Sequence, residues 1–142
     1  MMETKIVLAM HNELSEAFLL AASHFVDTND VICLSLLEGD TLDDYRDRID
    51  LLLREFDNCL VLTDLLTGAC TISFMQFLNK YPFSLVSGTN LVMLVEAIEN
   101  KELFSNFELA DLIIKKSKED IQNCNQLIEQ GMNGLNEEEG VL

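Results

Sequence analysis

Blocks of apolar and polar residues follow one another along the chain and predict four strands, each followed by a helix. Continuous apolar runs predict strands that are buried on both faces of a parallel sheet. Apolar residues at three- and four-residue spacing between these runs predict amphipathic helices. The strands are predicted at 5–10, 31–36, 59–63 and 83–87, and the helices at 13–26, 42–56, 71–80 and 91–100. The predicted fold class is therefore α/β, a doubly wound, mainly parallel four-stranded sheet with helices on both faces.

The helix pattern also predicts which side chains are buried and which residues cap the helices. The stripe predicted to be buried in the first helix consists of Leu14, Ala17, Phe18, Ala21 and Phe25. Asparagine is a favoured N-cap residue because its side-chain oxygen accepts from a free backbone N–H. The predicted N-caps of the first, fourth and fifth helices are Asn12, Asn90 and Asn106.

The C-terminal part of the chain has a weaker pattern. A fifth helix is predicted at 107–118. Residues 121–128 fit either a continuation of that helix or an extra C-terminal edge strand. We expect one domain over residues 1–130. The stretch 131–142 contains three consecutive glutamates, and we expect it to form an acidic, disordered tail.

Charge and hydropathy exclude several classes of protein. The chain has 142 residues, of which 25 are acidic and 9 basic, and its formal net charge is −16. Such a charge argues against binding nucleic acid or an anionic membrane through a basic face. No apolar run approaches the roughly 20 residues that a membrane helix needs. The start of the chain does not resemble a signal peptide. We therefore expect a cytoplasmic protein.

The cysteines and glycines indicate no metal and no cofactor. The four cysteines, Cys33, Cys59, Cys70 and Cys124, form no C-x-x-C pair, and their spacing matches no zinc site. Cys33 and Cys59 lie in predicted strands, where buried reduced thiols are expected. The glycine motifs that bind nucleotides are absent from the sequence.

His11 is the candidate for chemistry. It follows the first predicted strand directly and precedes a predicted helix. Ligands of open α/β sheets bind at the carboxyl ends of the strands, and helix N-termini attract anions such as phosphate. Two interpretations are open from this pattern: a structural loop histidine, or the acceptor of a phosphoryl group. His24 has no carboxylate at a useful spacing, and we assign it no role.

Asp64 ends the third predicted strand and is a candidate partner for the histidine. A carboxylate there can accept a hydrogen bond from one imidazole nitrogen and leave the other nitrogen as the nucleophile. We expect Nδ1 to be bound and Nε2 to be phosphorylated. Asn12, Thr67, Gly68 and Ala69 are candidate phosphate-binding residues near helix N-termini. The plainer alternative is that Asp64 caps a turn and that residues 67 and 68 form an ordinary loop.

Four stretches of the sequence resemble the IIA component of the mannose-family sugar phosphotransferase system. Residues 6–11, I-V-L-A-M-H, resemble the family's first strand with its phosphorylated histidine. Residues 60–64, L-V-L-T-D, resemble the strand that ends in its aspartate. Residues 85–96, L-V-S-G-T-N-L-V-M-L-V-E, closely resemble its G-x-N-x-x-M-L-x-E segment, and 38–40 match a turn. The likeness covers about residues 5–125.

The resemblance implies a phosphocarrier. The histidine phosphocarrier protein HPr would pass a phosphoryl group to His11, which would pass it to a IIB component. The sugar would be phosphorylated as it crosses the membrane through IIC and IID components. The family is typically a homodimer that exchanges a C-terminal strand, for which residues 121–128 would be the counterpart. No nucleic acid partner is expected.

Two positions depart from the family pattern. After the aspartate the family usually reads Gly-Gly-Ser/Thr-Pro, whereas residues 67–70 are Thr-Gly-Ala-Cys. The hydroxyl expected at Ala69 is missing, and Thr67 or Thr71 is a candidate substitute. Asn12 stands where glycine is common. The altered loop leaves one alternative open, a regulatory or interaction module of the same fold. A second alternative is the related phosphotransfer subunit of dihydroxyacetone kinase, which neighbouring genes for a kinase rather than for sugar permease components would indicate.

Overall fold

A parallel sheet of four strands forms the centre of the molecule. The structure is a computed structural model that describes residues 3–131. The strands are β1 (Lys5–Ala9), β2 (Ile32–Cys33), β3 (Cys59–Thr63) and β4 (Ser84–Val86). Their order in the sheet is β2-β1-β3-β4, and every pair is parallel. The predicted fold class is confirmed, although β2 is shorter than predicted and continues only as an isolated bridge between His11 and Leu36.

Helices cover both faces of this sheet. They are α1 (Leu14–Ala22), α2 (Leu42–Glu55), α3 (Ala69–Met75), α4 (Leu91–Asn100), α5 (Asn106–Asp120) and α6 (Cys124–Glu129). Successive side chains of a strand point to opposite faces. Accordingly, Ile6 and Leu8 pack with residues of α1, α4 and α5. Val7 and Ala9 pack with α2 and α3 on the other face. Both cores are thus supplied by alternate residues of the same strands.

The buried face of α1 differs from the predicted stripe. Leu14 and Phe25 are exposed, and Ala17 is exposed as well. The helix instead buries Ser15 and Ala22. The Ser15 hydroxyl donates a hydrogen bond to the backbone oxygen of Leu8. Small residues at these positions allow this face of the helix to lie close to β1. Phe18, which belongs to the predicted stripe, is partly buried and packs against the same core, so the prediction was wrong only in part.

Two of the three predicted asparagine caps are also wrong. Asn90 does cap α4, since its side-chain oxygen accepts from Met93 N at 3.0 Å. The cap of α5 is Ser105, which forms a capping box with Glu108. Asn106 is buried inside the helix and donates from its side chain to Asn58 Oδ1 at 2.7 Å. This contact attaches the start of α5 to the end of the sheet opposite the carboxyl ends of the strands.

The segment 121–128 forms no edge strand. Residues 121–123 leave the helical conformation after α5, and the short helix α6 follows. Asn123 caps α6 by accepting from two backbone N–H groups. Of the two alternatives that the sequence left open, the edge strand does not form in this single chain, and helix resumes only after a break. Residues 1–2 and 132–142 lie outside the described part, so the predicted acidic tail falls almost entirely outside it.

The topology places one crevice at the carboxyl edge of the sheet. The chain moves from β1 outward to β2, then returns to the other side of β1 for β3 and β4. The order reverses between β1 and β3, and open α/β sheets bind ligands at such a switch point. Among residues 3–131, none of the helices has both the length and the apolar character needed to cross a membrane.

Candidate functional site

His11 and Asp64 face each other at this switch point. Ala9 in β1 pairs with Thr63 in β3, so the two strands end at the same level of the sheet. His11 lies two residues beyond Ala9, and Asp64 follows Thr63 directly. All of β3, and all of β1 except Lys5 at its start, is buried, whereas His11 and Asp64 beyond the strand ends are partly exposed. Adjacent parallel strands therefore bring together two residues that are 53 positions apart in the sequence.

The Asp64 carboxylate binds the histidine through both the ring and the backbone. Asp64 Oδ2 lies 2.7 Å from His11 Nδ1 and accepts the backbone N–H of His11 at 2.9 Å. The other oxygen, Oδ1, accepts the backbone N–H of Leu65 at 2.8 Å. The predicted contact between Asp64 and Nδ1 is therefore present. With both oxygens held, the carboxylate has a single orientation toward the imidazole.

The electrostatics of the pair favour one tautomer. Partial burial acts to raise the pKa of Asp64, but the hydrogen bonds from the backbone and ring of His11 and from Leu65 outweigh it and hold the pKa below its usual value. An ionised carboxylate accepts hydrogen bonds only. Nδ1 of a neutral His11 must then carry the proton, and Nε2 keeps its lone pair. The His11 side chain is 39% exposed and that of Asp64 is 10% exposed. The lone pair of Nε2 therefore belongs to a side chain that is partly exposed to solvent.

Gly68 leaves the space that the imidazole occupies. A Cβ atom at position 68 would lie 3.0 Å from His11 Cε1 and 3.3 Å from the Cβ of Leu65. Its backbone N–H donates to the oxygen of Leu65 at 3.0 Å and closes the turn that follows Asp64. Thr71 braces the same turn, because its hydroxyl contacts the oxygen of Leu65 and the hydroxyl of Thr63. Thr71 is therefore engaged and does not supply the hydroxyl missing at position 69.

The other predicted phosphate-binding residues are partly rearranged. Thr67 is exposed, and no partner for its hydroxyl is found within residues 3–131. Ala69 begins α3. Asn12 does not cap α1, because Glu13 occupies the N-cap position. Asn12 instead has a φ of 52°. Asparagine tolerates the left-handed conformation better than most residues, which explains how it replaces the glycine common in the resembling family.

The loop after β4 contacts the end of β3, and within residues 3–131 it forms no hydrogen bond with the imidazole of His11. Thr89 donates from both its backbone N–H and its hydroxyl to the oxygen of Thr63. Asn90 caps α4 and also donates to Ser117. These contacts attach the loop to the end of β3 rather than to the imidazole. His24 is exposed and lies just after α1.

Cys70 is a neighbour of the histidine that sequence reasoning missed. Ligand atoms of His11, Asp64 and Cys70 all lie within 4.8 Å of one another. The thiol is fully buried, and burial raises the pKa of Cys70 above its ordinary value, although the Tyr45 hydroxyl acts to lower it. All four cysteines are free. The signal that could have found Cys70 was its place in the first turn of the helix after Asp64, where the resembling family has proline.

The fold and this site define a class of protein. It is an open parallel α/β domain that holds a carboxylate-oriented histidine at its switch point, with one ring nitrogen free to react. The model of a family described as PTS system fructose IIA component, EIIA-man, matches residues 5–114. The chain belongs to this family and is a IIA component of the phosphotransferase system.

Solved structures have the same fold. The phosphotransferase component EIIA from Streptococcus agalactiae is 25% identical with a TM-score of 0.79, and the match covers 87% of this chain and 98% of that one. The mannose/sorbose-specific IIA subunit from Enterococcus faecalis is 26% identical with a TM-score of 0.75, covering 86% and 95%. The PTS IIA protein associated with the fucose utilization operon of Streptococcus pneumoniae is 25% identical with a TM-score of 0.73, covering 89% and 96%. The comparison with curated proteins found no match.

Proposed function

We propose that this protein is a cytoplasmic phosphocarrier that accepts a phosphoryl group from HPr on Nε2 of His11 and passes it to a IIB component. One observation carries the proposal. The 2.7 Å contact between His11 Nδ1 and Asp64 Oδ2 occupies one ring nitrogen and leaves the other free and accessible. Sugar uptake and phosphorylation through membrane IIC and IID components would follow from the transfer to IIB.

The transfer itself requires positioning and charge stabilisation. The Nε2 lone pair attacks the phosphorus of the donor's phosphohistidine as the donor's P–N bond breaks, and the bonding electron pair returns to the donor's imidazole. The Nδ1 proton stays in the hydrogen bond to Asp64. The phosphorylated ring gains positive character, and the adjacent carboxylate stabilises it. The reverse sequence of bond changes delivers the group to IIB.

The loop residues have smaller proposed roles. The Thr67 hydroxyl and the Asn12 side chain are exposed on the two segments that adjoin His11, where both are available to phosphate oxygens. Ala69 can offer only its backbone N–H at the start of α3. Gly68 contributes space below the ring, since its own N–H is used within the turn.

Exposed leucines around the histidine support a protein partner. Leu14, Leu37, Leu65 and Leu66 are 40%, 48%, 60% and 61% exposed. They lie in the segments after β1, β2 and β3, next to His11. Apolar side chains that remain exposed around a reactive group are typical of a surface that another protein covers. A homodimer is proposed from the family alone.

The test is transfer of labelled phosphate from phosphoenolpyruvate through purified Enzyme I and HPr to this protein. Wild type should acquire an acid-labile label. His11→Ala should acquire none, whereas His24→Ala is the matched control and should be labelled like wild type. Label that persists in His11→Ala would overturn the assignment of His11.

A second candidate function is a regulatory module that keeps the fold. It is favoured by Ala69, because Thr71 does not replace the missing hydroxyl. Ala69→Ser restores the family's hydroxyl and separates the two readings. If the protein is a phosphocarrier with a weakened phosphate site, this substitution should raise the rate of labelling several-fold. A wild type that is not labelled by a cognate HPr favours the regulatory module.

A further inference from the structure

We propose that His11, Asp64 and Cys70 form a binding site for a thiophilic divalent cation such as zinc, and that the bound ion blocks phosphoryl transfer. Cys70 stands at a position where the resembling family usually has proline. The ion-binding step rests on the geometry alone. Only its regulatory consequence rests on the proposed function.

The three donor atoms are close enough to share one ion after small movements. All of them lie within 4.8 Å of one another, and His11 Nδ1 is 2.7 Å from Asp64 Oδ2. Tetrahedral zinc binds nitrogen and oxygen at about 2.0–2.1 Å, which separates two such ligands by about 3.3 Å. The carboxylate and the ring must therefore part by about 0.6 Å. The exposed fraction of the His11 side chain gives it room to move.

The donor set selects the class of cation. Thiolate, imidazole and carboxylate together are ligands for zinc and related soft or borderline ions, whereas magnesium and calcium prefer oxygen alone. Three protein ligands leave one tetrahedral position open. That position can face solvent on the side of His11, whose side chain is 39% exposed. The net charge of −16 also favours the approach of a cation.

Neighbouring groups already hold one of the three ligands. The Tyr45 hydroxyl lies beside Cys70, but its proton is donated to the oxygen of Leu34 at 2.7 Å. The backbone N–H of Leu65 holds the second oxygen of Asp64. Outer contacts of this kind orient metal ligands and increase affinity.

Occupation of this site changes the tautomer of the histidine. When the ion takes the lone pair of Nδ1, the imidazole proton must reside on Nε2, and the Cys70 thiol releases its proton to solvent. Nε2 then has no lone pair with which to attack phosphorus. The ion and the phosphoryl group are therefore alternatives at His11.

Cobalt(II) titration of the reduced full-length protein tests the site. A thiolate–cobalt bond gives a charge-transfer absorption in the near ultraviolet, which a site without sulfur lacks. All proteins carry Cys124→Ser, because that cysteine is exposed and would bind ions adventitiously. In this background, one cobalt should bind with the thiolate band, and zinc should displace it.

The variants separate this site from the other thiols. Cys70→Ala should lose the band and at least tenfold in affinity for cobalt. Cys59→Ala is the matched control, since Cys59 is equally buried but lies at the opposite end of the sheet, and it should keep both. His11→Gln removes a ligand at a partly exposed position, where the substitution should not prevent folding even if Cys70→Ala does. It should also weaken the binding of cobalt. A band that survives in Cys70→Ala and His11→Gln, or wild type that binds no cobalt, overturns the proposal.

Labelling by HPr with and without zinc tests the consequence. Zinc at concentrations that saturate the site should suppress labelling of the otherwise wild-type protein, and the suppression should be at least tenfold smaller in Cys70→Ala. Equal suppression in both proteins would overturn the blocking role. Failure of the proposed function would show as absence of label without zinc, which leaves the cobalt result intact.

Discussion

Asp64→Asn tests the central contact of the site with almost no change in size. Asp64 accepts three hydrogen bonds, two from His11 and one from Leu65. An asparagine has one oxygen and one NH2 group. If its oxygen faces the histidine, the NH2 group opposes the N–H of Leu65. If the NH2 group faces the histidine, it opposes the backbone N–H of His11 and favours the tautomer that has its proton on Nε2.

The expected loss follows from these two orientations. Either one loses at least one hydrogen bond to a charged acceptor and leaves a donor without its partner, at a cost of about 1–3 kcal/mol in the free energy of unfolding. Loss of a charge-assisted bond worth about 1.5–3 kcal/mol to the reacting imidazole corresponds to a fall of about 10- to 150-fold in the labelling rate. We expect the rate to fall within this range.

The assay is the initial rate of labelling by phosphorylated HPr, with denaturant unfolding to confirm that the variant is folded. Asp50→Asn is the control. Asp50 also accepts several hydrogen bonds, from Lys80, Tyr81 and Arg54, but it lies on α2 away from the histidine. It should be labelled at the wild-type rate. A folded Asp64→Asn protein labelled within twofold of wild type would refute the argument that Asp64 selects the reactive tautomer.

Three further predictions concern the same edge of the sheet. Gly68→Ala should displace the His11 ring by a few tenths of an ångström and slow labelling several-fold, because the new Cβ would lie 3.0 Å from Cε1 of the ring. The backbone itself should not be strained, since the φ of −77° at this position suits alanine. A crystal structure of the variant measures the shift, and an unmoved ring would contradict the prediction. Asn12→Ala should lower the free energy of unfolding by about 1 kcal/mol, because the backbone at position 12 has a positive φ. Asn12→Gly should not lower it, since glycine adopts this conformation readily. Unfolding in denaturant measures both variants, and equal losses would count against backbone strain. Because the pKa of Asp64 is lower in the folded protein, its ionisation stabilises the fold above the unfolded-state pKa of about 3.9, and this contribution is lost as the pH falls through the folded value. The stability difference between wild type and Asp64→Asn should therefore shrink from about pH 5 to pH 2, and a difference that grows in acid would contradict the sign.

The sequence by itself determined the strands and the pairing of the two site residues. Apolar runs in β1 and β3 are continuous because both strands are buried on both faces. An ionisable residue follows each run, namely His11 after β1 and Asp64 after the buried Thr63 that ends β3. Parallel strands that are adjacent in a doubly wound sheet must end at the same edge. This rule brings the two residues together without knowledge of any side-chain contact.

Helix faces and caps needed the tertiary structure. The stripe of α1 was misplaced in part, because Leu14 and Phe25 are apolar but remain exposed, while the small Ser15 and Ala22 are buried. The spacing of hydrophobic residues along the sequence does not show how closely the backbones of a helix and a strand approach each other. In the same way, Asn106 resembles a cap in the sequence, but a buried partner at Asn58 claims its side chain.

Only the tertiary structure decided the surroundings of the histidine. The spacing of Cys70 from the other cysteines indicates no metal site, and its distance along the chain from His11 says nothing of contact. Gly68 closes the turn after Asp64, and Thr71 stabilises it. This turn places the start of α3 next to the imidazole of His11. Patterns along a sequence predict the burial and the secondary structure of a local stretch of chain. A cluster of three donor atoms depends on where several chain segments converge, and that is settled only when the whole domain packs.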